Sequence, residues 1–297
     1  MGLIDRLDDW FFAEQRVHAL ALTRIIFGVA LFVTYLCYSP YLEWYWGSDG
    51  LLPYIFNLKP PYTLTQTALW PVFGALMLSA LCFTVGLFTR IAGLLLLAGH
   101  FCFIRWGVLH TWGWAETMPL LLLYVSLSGA GRWLSVDAWW AARQGRPMSP
   151  VASRWALRLV QIHVCMIYVA AGWHRIDDGG WLRGEMVYEA MSNTWYTRLP
   201  LVDFQPYKAV MAWATWGTEF LELMAPVALW LRPTRKIWMI GLIAMHTGLH
   251  LGASVGMWQP MMVGSLLSFA DPQSVEGLAS WLRRRIWARL QPTTTPS

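Results

Sequence analysis

The segment 168–191 holds the densest group of side chains that could do chemistry. Between Trp173 and Trp181 it carries a histidine, an arginine and two aspartates, among them His174, Arg175 and Asp177. An imidazole titrates near neutral pH, so His174 is the candidate general base. Arg175 stays protonated and could hold an anion, while Trp173, Trp181 and Asp177 could bind a ligand. The simpler alternative is an ordinary group of charges and tryptophans at a membrane boundary.

A second set of ionisable residues lies within apolar stretches, where charge is costly and a functional role is the default interpretation. Glu219 and Glu222 share a helix face at spacing i,i+3, His246 and His250 share another at i,i+4, and His163 adds an imidazole that could contact a ligand. Facing carboxylates and imidazoles can bind metal, but the sequence lacks the Glu-x-x-His pairs of di-iron bundles, so no metal site is assigned. Neutral hydrogen-bonded groups that hold helices in register, or a proton relay, are the alternatives.

The composition places these residues in a membrane protein. Of the 297 residues, 57% are hydrophobic and only 13% are charged, whereas about 25% charge is usual in soluble domains. This excludes a water-soluble enzyme, and the net charge of +5 reflects loop arginines and lysines rather than a surface for nucleic acid. The four cysteines form no CxxC pair, so neither a zinc site nor a disulfide framework is predicted. We therefore expect the lipid bilayer, and no nucleic acid, as a partner.

Apolar windows of membrane-crossing length predict an all-α polytopic fold with about eight transmembrane helices. The predicted spans are 18–38, 71–88, 92–110, 117–134, 155–173, 209–231, 236–253 and 257–270. An even number places both termini on one side, and the two termini together with the connections on that side hold fifteen of the 22 basic residues. The positive-inside rule then predicts a multi-pass protein of the cell (inner) membrane with both termini cytoplasmic and the long loops 39–70 and 174–208 outside.

Three regions follow from this arrangement. Residues 1–17 are predicted to form an N-terminal interfacial helix, residues 18–271 the transmembrane domain, and residues 272–297 a basic amphipathic helix with a disordered tail. In the last region Trp281 and neighbouring leucines follow helical spacing among arginines that could contact anionic headgroups. Both ends are thus expected to lie on the membrane surface.

Several separated motifs resemble those of the HTTM (horizontally transferred transmembrane) family, whose best-known member is the vitamin K-dependent gamma-carboxylase. They are TRIIFGVALF in the first span, YWGSDGLLP (45–53), GRWLSVDAWW (131–140), AAGWHRID…WLRG (170–184), EFLELMAP and MHTGLH. Their order along residues 16–272, rather than any single motif, carries the resemblance. It implies a membrane domain related to that of the carboxylase.

The resemblance also implies site residues. The carboxylase uses a lysine as a base on vitamin K hydroquinone; its two consecutive lysines fall on His174 and Arg175, with the catalytic one at Arg175. Arginine cannot accept a proton as lysine does, so His174 would have to replace it. For the Asn and His before the family's fourth span, only His110 or Glu116 could stand in. No counterpart of the carboxylase's large extracytoplasmic domain is expected after the last predicted span, so protein carboxylation is not expected.

Together these features predict an outward-facing pocket for a quinol-like or lipid-like molecule, with a quinone or hydroquinone as the candidate cofactor. Acid/base or oxygen-dependent chemistry would use His174, with Arg175 holding an anionic intermediate. The alternative is a non-catalytic accessory protein that helps to mature, anchor or export a membrane or secreted protein partner, and the missing family lysine favours it. A proton-coupled transporter is disfavoured because no inverted repeat is visible.

Overall fold

The computed structural model describes residues 2–55, 63–106, 113–254, 256–277 and 280–281. Within these ranges the chain is all-α apart from one two-stranded sheet. Helices are the expected result for apolar runs in a bilayer, because each helix satisfies its own backbone hydrogen-bonding groups without water. The all-α class predicted from the sequence is confirmed.

Fourteen α-helices and two short strands form from the described residues. In chain order the helices are α1 (Leu3–Phe12), α2 (His18–Tyr38), α3 (Leu42–Trp46), α4 (Leu51–Ile55), α5 (Gln66–Val85), α6 (Thr89–Trp106), α7 (Gly113–Leu127), α8 (Val136–Arg143), α9 (Trp155–Arg175), α10 (Gly179–Leu182), α11 (Met186–Ser192), α12 (Lys208–Ala228), α13 (Arg232–Gly252) and α14 (Trp258–Leu266). Short 3-10 helices occupy Ser39–Tyr41, Ala130–Arg132, Gln205–Tyr207 and Leu267–Phe269. Strands β1 (Glu14–Arg16) and β2 (Val151–Ser153) pair antiparallel and tie the segment before α2 to the segment before α9.

Helix α2 lies at the centre of the bundle and packs against α5, α7 and α14. Helices α5, α6 and α7 pack in sequence, α9 packs against α7, α12 and α14, and α13 packs against α12 and α14. The core between them contains fully buried apolar side chains such as Phe27, Leu31, Leu96, Leu121 and Met261. One continuous hydrophobic core therefore joins the helices.

Three helical segments are long and apolar enough to cross a membrane: His18–Trp46, Gln66–Val85 and Trp155–Arg175. Thr89–Ile104 and Ala115–Leu127 are apolar but shorter. Helices α12, α13 and α14 coincide with the remaining predicted spans, but α12 and α13 carry charged residues and α14 has only nine residues. The helices agree with a membrane protein, and eight crossings stay a prediction.

The predicted span 117–134 is divided by a turn. Helix α7 ends at Leu127, after which the Ser128 hydroxyl donates to the carbonyl of Val125 (2.6 Å) and accepts from the Ala130 amide (3.1 Å). These bonds replace helical ones, so the chain turns before α8. Hydropathy extended the predicted span past the turn because only one charged residue, Arg132, lies in 129–134.

Helix α1 leaves its apolar residues Leu3, Ile4 and Leu7 exposed. It is held to the bundle through Trp10, whose ring centroid lies 4.5 Å from the Arg158 guanidinium on α9. Its placement on a membrane surface stays a prediction. Most of the predicted C-terminal helix, including residues 282–297, lies outside the described residues.

The two ends of the bundle differ in charge. Helices α2, α6, α9 and α13 all begin at one end, termed the basic end, where the first helical turns and the segments around them carry many arginines. These include Arg16, Arg90, Arg132, Arg143, Arg146, Arg154, Arg232 and Arg235. The opposite end carries α10, α11 and the C-terminus of α9, where the predicted catalytic cluster lies.

Candidate functional site

The C-terminal part of α9 directs its polar residues to two sides. Tyr168 and Arg175 are seven residues apart, close to two helical turns, so they share one face. This face is turned into the bundle, because Tyr168 is buried and the Arg175 side chain is only 19% exposed. His174 lies about 100° around the helix from Arg175 and is exposed.

Arg175 is held by an ion pair and an aromatic ring. Its Nη1 atom donates to Oε2 of Glu222 on α12, and its guanidinium lies 3.9 Å from the centroid of the Trp181 ring. Gly172 allows α12 to approach, since a Cβ atom there would lie 2.3 Å from Cδ2 of Leu223. The Glu222 side chain is only 6% exposed. Removing two charges from water is costly, so each charge of the pair needs the other to compensate its lost hydration.

A second chain of buried hydrogen bonds joins the neighbouring helices. The Tyr168 hydroxyl and Nε2 of His246 are 3.0 Å apart, and Nδ1 of His246 bonds to Oε1 of Gln259 in the first turn of α14. An amide oxygen only accepts, so Nδ1 carries the imidazole proton and Nε2 accepts from the tyrosine hydroxyl. All three side chains are buried, and these bonds satisfy the tyrosine hydroxyl and both nitrogens of the imidazole.

These two arrangements form one unit, termed the buried polar cluster. The Glu222 carboxylate interacts electrostatically with Tyr168, and the Arg175 charge interacts with His246. The members of the cluster are Tyr168, Arg175, Trp181, Glu222, His246 and Gln259. A satisfied network in a low dielectric favours one arrangement of the helices that carry it, here α9, α12, α13 and α14.

His174 borders an open groove on the other side of α9. The groove has a volume of about 550 Å³, and its remaining lining is apolar or aromatic apart from one thiol. The lining residues are Ile162, Cys165, Met166, Val169, Ala170, Trp173, His174 and Trp230. Trp173 is 74% exposed, and Asp177 is exposed beyond the end of the helix. The predicted base and one predicted wall of the site therefore share this groove.

Other predicted residues lie away from both features. His163 contacts Tyr124 edge to face, with ring centroids 6.0 Å apart. Glu116 is exposed in the first turn of α7, and His110 lies outside the described residues. In the described part of the chain, no three His, Cys, Asp or Glu side chains are grouped so as to hold a metal ion.

The paired residues on α12 and α13 have different surroundings. Glu222 and His246 belong to the buried polar cluster, whereas Glu219 and His250 are half-buried. His250 interacts electrostatically with Arg198. Each predicted pair thus contributes one residue to the cluster.

Two members of the cluster, Tyr168 and Gln259, gave no signal in the sequence, because neutral polar residues are not marked out by a charge in an apolar run. The seven-residue interval between Tyr168 and Arg175 is the pattern that could have predicted that the two side chains share one face of α9. A further buried pair was also missed: the Tyr35 hydroxyl lies 2.7 Å from Nδ1 of His100, between α2 and α6.

At the basic end, the motif around Asp137 fixes the start of α6. The Asp137 carboxylate accepts from the Phe88 amide (2.8 Å) and from the amide and hydroxyl of Thr89 (2.9 Å each). The buried Arg24 of α2 donates Nη2 to the carbonyl of Leu134 (2.5 Å). The segment before and within α8 therefore connects α2 with α6.

Replacing Asp137 with alanine is expected to destabilise the protein by about 0.5–2 kcal/mol, because backbone amides at the start of α6 lose their acceptor. Asp137→Asn keeps one acceptor oxygen and should lose less. Thermal unfolding of both variants in detergent measures the effect. An unchanged Asp137→Ala protein would contradict the capping role.

The helices, the apolar spans and the buried charges together define an all-helical membrane domain. Residues 12–273 match the family model of the HTTM domain. Because this match covers most of the 297 residues, the chain belongs to the HTTM family, as its motifs predicted. It is thereby related to the membrane domain of the gamma-carboxylase. The comparison with curated proteins and the comparison with solved structures each gave no match.

Proposed function

We propose that this HTTM protein binds a quinol-like or lipid-like molecule in the groove along α9 and that His174 accepts a proton from it. The chain would cross the inner cell membrane eight times with both termini cytoplasmic, so that His174 lies near the outer surface. The observation that carries the proposal is the position of His174, an exposed imidazole at the rim of an otherwise mostly apolar groove of about 550 Å³.

The lining of the groove suits an apolar ring or chain. Val169 and Ala170 add small apolar side chains to the lining, and the exposed indole of Trp173 offers a flat face for stacking. A groove on the outside of a membrane helix is reached directly from the lipid phase, where quinols and lipids are dissolved. The bound molecule would supply the acidic hydroxyl group, and the imidazole would supply the basic nitrogen.

Arg175 takes the part of a positioning residue in this proposal. It cannot accept the proton, and its guanidinium is already held by Glu222 and Trp181. The ion pair fixes the end of α9 against α12, so that His174 stays at the rim of the groove. Arg175 therefore occupies the position of the family lysine but does not take over its role as a base.

Substituting His174 with alanine is expected to slow turnover about 100-fold, because the proton acceptor is lost. The assay uses the full-length protein in lipid nanodiscs and a short-chain naphthohydroquinone. Dissolved oxygen oxidises it to the quinone and is itself reduced to hydrogen peroxide, and the quinone is followed by absorbance. Trp173→Ala should weaken binding of this probe, whereas Trp195→Ala, another exposed tryptophan outside the groove, should not. Full turnover by His174→Ala, or no acceleration by the unaltered protein, would exclude the proposed base.

A non-catalytic accessory role is the second candidate, and a different observation favours it. Large apolar side chains are exposed at the end opposite the basic end, including Trp195, Leu201 and Trp213. These residues would fit a membrane or secreted protein that the chain helps to mature, anchor or export. A photo-cross-linker at position 201 should then capture one defined protein in cells, and hydroquinone turnover should be absent. Turnover that depends on His174 would exclude a purely accessory role.

A further inference from the structure

A pocket at the basic end carries two arginines that the proposed function does not use. It lies where the start of α6 meets the turn before α8 and has a volume of about 490 Å³. Its polar lining includes Thr89, Arg90, Ser128 and Arg132. We propose that this pocket, termed the headgroup pocket, binds the phosphate group of one anionic phospholipid.

The headgroup pocket is positively charged even though Asp137 contributes to it. The Asp137 carboxylate already accepts three hydrogen bonds from Phe88 and Thr89, and the buried Arg24 interacts with it electrostatically. Asp137 is the single acidic residue of this pocket in the described part of the chain, whereas Arg90 and Arg132 are both exposed. The guanidinium groups of Arg90 and Arg132 can therefore bind an anion, because the Asp137 carboxylate is already paired and repels it less.

The surroundings of the headgroup pocket fit a lipid better than a free anion. A second pocket of about 560 Å³ shares Phe88, Asp137 and Met148 with it. The second pocket also contains Val136 and Trp140, so its lining is largely apolar. A phosphate bound at the arginines would thus have a continuous apolar space beside it, which suits the glycerol region and one acyl chain.

The other acyl chain would follow the surface of α6. Ile91 and Leu95 are exposed at 61% and 57% and lie one turn apart, just beyond Arg90 in the first turn of the helix. On α8, Trp139 and Trp140 are also exposed, as is typical of tryptophans at the level of lipid headgroups. Half a bilayer has charged headgroups outside, an interface below them and acyl chains inside. The surface here has the same order, with arginines at the helix start, indoles beside them and aliphatic side chains further along. Basic pockets between membrane helices are known to hold anionic headgroups.

Lipid binding can be measured on the intact protein. The purified full-length chain, stripped of lipid in detergent, is titrated with dioleoyl phosphatidylglycerol or dioleoyl phosphatidylcholine, and bound lipid is counted by native mass spectrometry. One phosphatidylglycerol should bind at concentrations where phosphatidylcholine does not. Inorganic phosphate is added as a competitor, because a free-anion site would be blocked by it and a lipid site would not.

The variants Arg90→Gln and Arg132→Gln should each lower the affinity for phosphatidylglycerol about fivefold, and together about 25-fold. Arg90→Gln is the decisive change, because Arg132 also donates to the carbonyl of Val151 and its loss could disturb the fold. Arg146→Gln is the matched control: it removes the same charge from an exposed residue of the basic end, just after α8, that lines neither pocket. Thermal unfolding of each variant shows whether the fold is retained.

Three results would overturn the proposal. Equal binding of the two lipids would exclude recognition of the anionic headgroup, and equal effects of Arg90→Gln and Arg146→Gln would show only a general attraction to the basic end. Full displacement by inorganic phosphate would identify a site for a free anion. None of these results depends on the groove of His174, so they test this site separately from the proposed function.

Discussion

Replacing Glu222 with alanine is expected to destabilise the folded protein by about 3–5 kcal/mol. Arg175, whose side chain is only 19% exposed, would keep its charge but lose the carboxylate that neutralises it. The ring of Trp181 would remain, yet a cation–π contact contributes only about 0.5–2 kcal/mol and does not replace an ion pair. Equilibrium unfolding of the purified protein in detergent measures the loss.

The same helix supplies the control for this prediction. Glu219→Ala removes an identical group one turn away from a half-buried position, and we expect a change within about 0.5 kcal/mol. A double variant with Arg175→Met and Glu222→Leu should recover most of the stability, because both charges leave the interior together. If Glu222→Ala were as stable as Glu219→Ala, the ion pair would not stabilise the fold.

Most of the helices could be predicted from apolar patterning, because length and hydrophobicity decide where a helix can lie in a bilayer. The first predicted span, 18–38, has the bounds of α2, and 155–173 lies within α9. Helix ends depend instead on local hydrogen bonds that hydropathy does not encode. Ser128 redirects the chain after α7, and Asp137 fixes the start of α6 across 48 positions.

The candidate site could be predicted in its residue types but not in its pairings. Glu222 could be predicted as a site residue because charge is costly in lipid. Arg175 could be predicted because it lies between two tryptophans. The two are 47 positions apart, so only the packing of α9 against α12 brings them together. His174 and Arg175 are neighbours, but a helix turns by about 100° per residue, and the sequence does not indicate which of them faces the bundle.

Replacing Gly86 with alanine is the second change expected to have a large effect, with a loss of about 2–5 kcal/mol. Gly86 ends α5 in the left-handed conformation (φ 72°), which costs other residues about 1–2 kcal/mol. A Cβ atom there would also lie 1.7 Å from Nη1 of Arg24 and 2.4 Å from Cβ of Ser135. Displacing the buried guanidinium adds about 1–3 kcal/mol, as in other overpacked interiors. Unfolding in detergent gives the total.

Two other glycines separate the backbone cost from the steric cost. Gly145 has nearly the same conformation (φ 73°), but a Cβ atom there would meet nothing within 4 Å, so Gly145→Ala should lose only about 1–2 kcal/mol. Gly74 lies inside α5 with similar open space, and Gly74→Ala should stabilise the protein by about 0.5–1 kcal/mol. The excess loss of Gly86→Ala over Gly145→Ala then measures the contact with Arg24. Equal losses at these two positions would show that Arg24 can move aside, and that its bond to Leu134 does not fix α2 to the turn before α8.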